Sequence, residues 1–202
     1  MADKRKVANL LGLAVLSYLS QHPMHPYALA RALREHGDDR SIKFSHGSLY
    51  MVVGQLERAG FVAQQETGRA GQRPEHTVYA LTDAGRAELR DWLRSLVAEP
   101  QHEYPAFVSA LSLITALPPA EAVELLRRRR GLIAADRARV EALIGDSLAR
   151  QVPGLFLIEE EYRLDQLDTE SAFVDRLIAR ITNPEPGWIG GWAEYHDARP
   201  ES

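Results

Sequence analysis

The stretch Ser45-His46-Gly47-Ser48-Leu49-Tyr50-Met51-Val52-Val53-Gly54-Gln55-Leu56-Glu57-Arg58-Ala59-Gly60-Phe61-Val62-Ala63 decides the fold. Ser45 suits an N-cap, and Leu49, Val52, Val53 and Leu56 recur at three-four spacing on one helical face. Ala59-Gly60 ends that helix. Phe61-Val62-Ala63 then changes period and reads as a strand. Thr67-Gly68-Arg69-Ala70-Gly71-Gln72-Arg73-Pro74 is turn-rich and basic, and His76-Thr77-Val78-Tyr79-Ala80-Leu81 alternates as a returning strand. A helix therefore feeds a β-hairpin with a positively charged tip.

Upstream, Leu10 to Leu19 is dense enough in apolar residues for a buried helix, roughly Val7 to Gln21. His22-Pro23-Met24-His25-Pro26 breaks it. Pro26 suits the first turn of a second helix, in which Tyr27, Leu29, Ala30 and Leu33 give helical spacing as far as His36. Gly37-Asp38-Asp39 is a turn. Downstream, Thr82-Asp83-Ala84-Gly85 opens a fourth helix carrying Leu89, Trp92, Leu93 and Leu96. The rest reads as helical: Tyr104 to Leu117, a long helix from about Ala120 to Ala149, and a last helix after Pro153-Gly154. The long helix would extend about 45 Å, too far for one small core to cover, so it is expected to pack on its neighbour and on a second subunit. Residues 184–202 show no periodicity and are expected to be an irregular tail held by Trp188 and Trp192.

The expected fold class is mainly α. An N-terminal winged helix-turn-helix (three helices plus a β-hairpin wing) would span residues 1–82, with a helical, coiled-coil-like dimerisation region over 83–183 and the tail after it. Composition agrees with a globular chain: 45% hydrophobic and 26% charged. The absence of cysteine removes disulfides and thiolate metal sites from consideration. No apolar run approaches the ~20 residues a membrane span needs, and no signal-peptide pattern is read, so a cytoplasmic location and no membrane partner are expected. The net charge of −4 hides an asymmetry. Residues 1–80 hold ten Lys and Arg against seven Asp and Glu, and residues 81–202 hold 14 against 21. A basic front suits a polyanionic partner.

A helix of this kind fits the major groove of double-stranded DNA, and its N-terminal end offers groups that hydrogen-bond phosphate. The candidate DNA-binding residues are Lys43, Ser45, His46, Ser48 and Tyr50 at that end, with Arg69 and Arg73 at the hairpin tip. Each has a plainer reading beside it. Ser45 can be an N-cap only, Ser48 a first-turn hydroxyl, Tyr50 a packing residue, His46 an exposed imidazole, and Lys43, Arg69 and Arg73 solvated cations.

His25-Pro26-Tyr27-Ala28-Leu29, Gly47-Ser48-Leu49-Tyr50, Gln55 to Phe61 and Val78-Tyr79-Ala80-Leu81-Thr82-Asp83-Ala84-Gly85 resemble the PadR-like family of bacterial transcriptional regulators. The likeness runs over about residues 10–95. The chain departs from the family pattern at Met51, where proline is common, and at Val53-Gly54, where Lys or Arg often stands. The resemblance implies a homodimeric regulator, usually a repressor, on a pseudo-palindromic operator, with a small-molecule effector as a further partner. It also implies two readings of Trp92: a drug-stacking residue, as in the multidrug-responsive branch, or an aromatic packed at the dimer interface.

Other constellations are weaker. His22 and His25 are separated by proline and have no carboxylate between them, which argues against a metal site. Arg127-Arg128-Arg129-Arg130 points four ways around a helix and reads as a solvated face. Glu121 and Glu124 offer it i,i+3 or i,i+4 partners on the same helix, and salt bridges between subunits are expected, with Glu159-Glu160-Glu161 as partners. No nucleophile elbow or phosphate-binding glycine loop is present, so neither enzyme activity nor a cofactor is expected. The alternative function is a winged-helix protein-interaction module without physiological DNA binding.

Overall fold

The computed structural model describes residues 5–65 and 77–197. The chain divides into two compact units, Met1–His102 and Glu103–Ser202.

In the first unit, α1 (Leu10–Leu19), α2 (Pro26–Glu35) and α3 (His46–Arg58) pack around one core, followed by β1 (Val62–Gln65), β2 (Val78–Leu81) and α4 (Asp83–Ala98). Each helix start is set by a side chain that satisfies an otherwise orphan N–H. Asn9 accepts from the Leu11 amide at 3.0 Å, and His25 Nδ1 accepts from Ala28 at 3.1 Å with Pro26 behind it. Thr82 accepts from Gly85 at 3.0 Å. The core is Leu11, Val15, Leu16, Leu29, Leu33, Leu49, Val52 and Leu56, all without solvent exposure. Tyr27 does not belong to it. It lies out of phase with Leu29, Ala30 and Leu33 and is 61% exposed.

β1 and β2 pair antiparallel, with Val62 opposite Leu81 and Gln65 opposite Val78. Met24 adds a single bridge on the other side of β2, exchanging backbone hydrogen bonds of 3.0 and 2.8 Å with Tyr79. Tyr79 and Leu81 are partly buried against the core. At the foot of the hairpin, Thr82 donates from its amide to Phe61 O (3.1 Å) and from its hydroxyl to Gly60 O (2.7 Å). Gly85 sits so close that a Cβ on it would lie 2.0 Å from Phe61 O. This clasp joins α4 to the hairpin, and Arg5 holds α4 from outside through Glu88 (2.8 Å) and Asp91 (3.1 Å). α4, grouped in the sequence reading with the rear helices, packs on α1 in this unit.

The second unit is built on α6 (Pro119–Ala149) and α7 (Ile158–Thr182), which lie antiparallel, with α5 (Ala106–Ser112) before them. The expected single segment from Tyr104 to Leu117 is instead α5 followed by a 3-10 turn at Ile114–Ala116. The four-arginine run also differs from expectation in its partners. Arg129 reaches Glu170 at 2.5 Å and Arg130 reaches Asp175 at 2.9 Å, both on α7 of the same chain. Arg129 also lies 3.5 Å above the Phe107 ring, a cation–π contact. Among the described residues, the tail carries one short helix, α8 (Trp192–Asp197). Trp192 is buried and donates from Nε1 to Leu117 O at 2.7 Å, and Arg180 covers Trp188 at 4.4 Å.

Candidate nucleic-acid interface

α3 presents one apolar face to the core and leaves the other free. Leu49, Val52, Val53 and Leu56 face inward, so His46, Gly47, Tyr50, Met51 and Arg58 are exposed. Its start is a reciprocal capping box. Ser45 Oγ accepts from the Ser48 amide (3.1 Å), while Ser48 Oγ accepts from the Ser45 amide (2.7 Å). The two hydroxyls also lie 3.2 Å apart, so both candidate serines are engaged in holding the helix end. Lys43 is exposed in the loop just before it.

His46 is held by α2 rather than standing alone. Its ring lies 6.3 Å from that of Tyr27 at an interplanar angle of 14°, and Tyr27 in turn neighbours His25 at 6.3 Å. Both terminal nitrogens of Arg34 are 3.4 Å from His46 Nε2. A guanidinium can only donate, so Nε2 is the acceptor there. Arg34 also lies 5.4 Å from the Phe44 ring centroid. The result is an exposed aromatic and cationic ridge running from α2 onto the start of α3. Tyr27 and Arg34 were not among the sequence candidates. For Tyr27 the signal was present, since a tyrosine out of phase with its helix's apolar positions must face outward.

Tyr50, 38% exposed, lies on the side of α3 facing the hairpin. There it neighbours Tyr79, whose phenol is pushed up by burial, with Glu57 and Tyr50 adding to the shift. Glu57 accepts from Gln64 Nε2 at 2.8 Å, tying α3 to β1. Arg69 and Arg73 lie outside the described residues. Trp92 is 4% exposed in the single chain, with the Arg5 guanidinium 5.5 Å from its ring centroid. Its faces are therefore already covered.

The surface gathers hydroxyls, phenols, an imidazole and guanidinia from α2 and α3. Among the described residues, no group of three His, Asp or Glu is placed to hold a metal, and no helix is long and apolar enough to cross a membrane.

No curated protein matches the chain. Several solved structures resemble it in fold. Bacillus subtilis PadR in complex with operator DNA is 21% identical with a TM-score of 0.66, covering 86% of this chain and 99% of that one. The same protein in complex with p-coumaric acid is 19% identical with a TM-score of 0.68, covering 90% and 99%. The virulence activator AphA of Vibrio cholerae is 17% identical with a TM-score of 0.63, covering 85% and 98%. Residues 15–91, which hold α2, α3, both strands and the start of α4, match the model of the transcriptional regulator PadR-like family.

Proposed function

We infer that this regulator is a sequence-specific DNA-binding protein that acts as a homodimeric repressor on a pseudo-palindromic operator and responds to a small-molecule effector. The observation that carries the reading is the outer edge of α3, where Tyr27, Arg34, His46 and Tyr50 form an exposed ridge around a well-capped helix start. Such an edge enters a major groove, with phosphate contacts fixing register and base-edge contacts fixing sequence. Lys43, Ser45, His46, Ser48 and Tyr50 take the groove, and Arg69 and Arg73 take the flanking backbone. That a similar fold has been solved with operator DNA supports the assignment.

Dimerisation follows from surface left bare. Leu125 and Leu132, seven residues apart on α6, are 44% and 61% exposed. Leu148, Leu155, Phe156, Ile158 and Tyr162, around the α6–α7 junction, are all more than half exposed. Bare leucines at heptad spacing suit a helical interface between subunits, where their burial is favourable. Effector control rests on the second unit of each subunit setting the distance between two recognition helices, and a similar fold has been solved with p-coumaric acid.

The test is fluorescence anisotropy with duplex DNA from upstream of the protein's own gene, over a salt series, for the wild type, Tyr50→Ala and Arg73→Ala. Tight, sequence-preferring binding that weakens with salt, and is blunted by both substitutions, is the expected result. Weak, sequence-blind binding unchanged in both variants would remove the proposal in favour of a protein-interaction role.

A further inference from the structure

Val53-Gly54 leaves the middle of α3 without a basic side chain of its own. The fold supplies the charge from elsewhere. Arg58, one turn further on, folds back over Gly54, so that a Cβ built on Gly54 would lie 3.7 Å from Arg58 Nη1. Beside it, a cleft of about 550 Å³ opens between residues 6–9 and the Met51, Gln55, Arg58 side of α3. Positions 51, 55 and 58 form one stripe along the helix.

The lining is suited to one kind of group. Lys6 and Arg58 bring two cations, and no Asp or Glu is among the lining residues. Asn9 uses its side-chain oxygen to cap the Leu11 amide, so its NH₂ is the end left to face a ligand. Gln55 adds a second carboxamide. The neighbouring Arg5 is committed to Glu88 and Asp91, which separates its role from that of Lys6. Lys6, Asn9, Met51 and Arg58 are all exposed, so the cleft would bury little of a small organic ligand. It is instead open to a long polyanion lying along the outer side of α3.

We propose that this cleft grips a backbone phosphate of the bound DNA, with Lys6 and Arg58 as the cationic pair and Asn9 and Gln55 as neutral donors. The inference rests on the DNA-binding reading given above. It adds a contact along the Met51, Gln55 and Arg58 stripe of the recognition helix. The N-terminal segment thereby becomes part of the interface.

The experiment is anisotropy with one specific duplex and one scrambled duplex from 0.05 to 0.3 M salt, using full-length Lys6→Ala/Arg58→Ala and, as a charge control, Arg176→Ala on α7. The double variant is expected to bind both duplexes about tenfold or more weakly. Its plot of log affinity against log salt should be shallower by roughly one unit per phosphate lost. Circular dichroism of the variant should match the wild type, since both substituted side chains are exposed. A slope and affinity unchanged within about twofold, a loss confined to the specific duplex, or an equal loss in Arg176→Ala would each overturn the proposal. A wild type that binds neither duplex would instead refute the DNA-binding reading itself.

Discussion

The clasp between α4 and the hairpin gives the sharpest test of how this fold is held. Replacing Gly85 with alanine should help a helix by about 1 kcal/mol on propensity alone. The structure reverses that sign. The new Cβ would stand 2.0 Å from Phe61 O, 2.8 Å from Leu81 Cδ1 and 2.9 Å from Phe61 C. Real Cβ atoms do not approach within 3.0 Å, and the obstacle is backbone, so α4 must retreat by about 1 Å from β1. Retreat breaks two hydrogen bonds from Thr82: that of its amide to Phe61 O (3.1 Å) and that of its one hydroxyl proton, which lies between Gly60 O (2.7 Å) and Phe61 O (3.0 Å). At about 1 kcal/mol each, and with Leu89 unseated from the core, the net loss is roughly 2–4 kcal/mol after the propensity gain. For a chain of this length that lowers Tm by about 5–12 °C. Gly131→Ala in α6 is the matched control, because nothing lies within 4 Å of its Cβ; it should gain about 0.5–1 kcal/mol. Thermal unfolding followed by circular dichroism reads both. A Gly85→Ala protein as stable as the wild type would refute the clasp.

Three further outcomes are expected. Ser45→Ala removes the acceptor for the Ser48 amide and should cost about 1 kcal/mol in urea unfolding, with Ser45→Gly less harmful; no loss in Ser45→Ala would mean the capping box contributes nothing. Tyr18 bonds Asp38 and lies 2.9 Å from His36 Nδ1, and burial with Asp38 raises its phenol above the ordinary tyrosine range. Its folded form therefore keeps the proton that the unfolded chain loses, so this contribution is complete below about pH 10 and fades as pH rises further. Tyr18→Phe should flatten the alkaline fall in stability, and an unchanged slope would exclude Tyr18 as its source. Trp192→Phe keeps an aromatic in the tail but loses the bond to Leu117 O, and should cost about 1 kcal/mol; no change would show that the tail is held by ring packing alone.

The order of elements was legible because it rests on local signals: Ser45 and Thr82 as caps, Pro26 at a helix start, Gly60 after α3, and apolar residues at three-four spacing. What escaped depends on contacts far apart in sequence. Periodicity marks a cation as exposed without naming its partner, which is why Arg129 and Arg130 were assigned to another subunit when Glu170 and Asp175 of the same chain take them. The tail lacks periodicity because its helix is only six residues long and is fixed by Trp192 reaching Leu117, 75 positions away. The sequence candidates for the interface lie at the start of α3 and the hairpin tip, with none on α2. The contribution of α2 through Tyr27 and Arg34, and the return of Arg58 over Gly54, became visible only once the helices were placed.

Selection of binding sites from a random duplex library tests the central claim most directly. A dimer that places one α3 in each of two successive major grooves should enrich an inverted repeat whose half-sites are centred about one helical turn, or a multiple of it, apart. Two chains should bind per site. Failure to enrich any sequence over several rounds, or enrichment of a single asymmetric site bound by one chain, would contradict it.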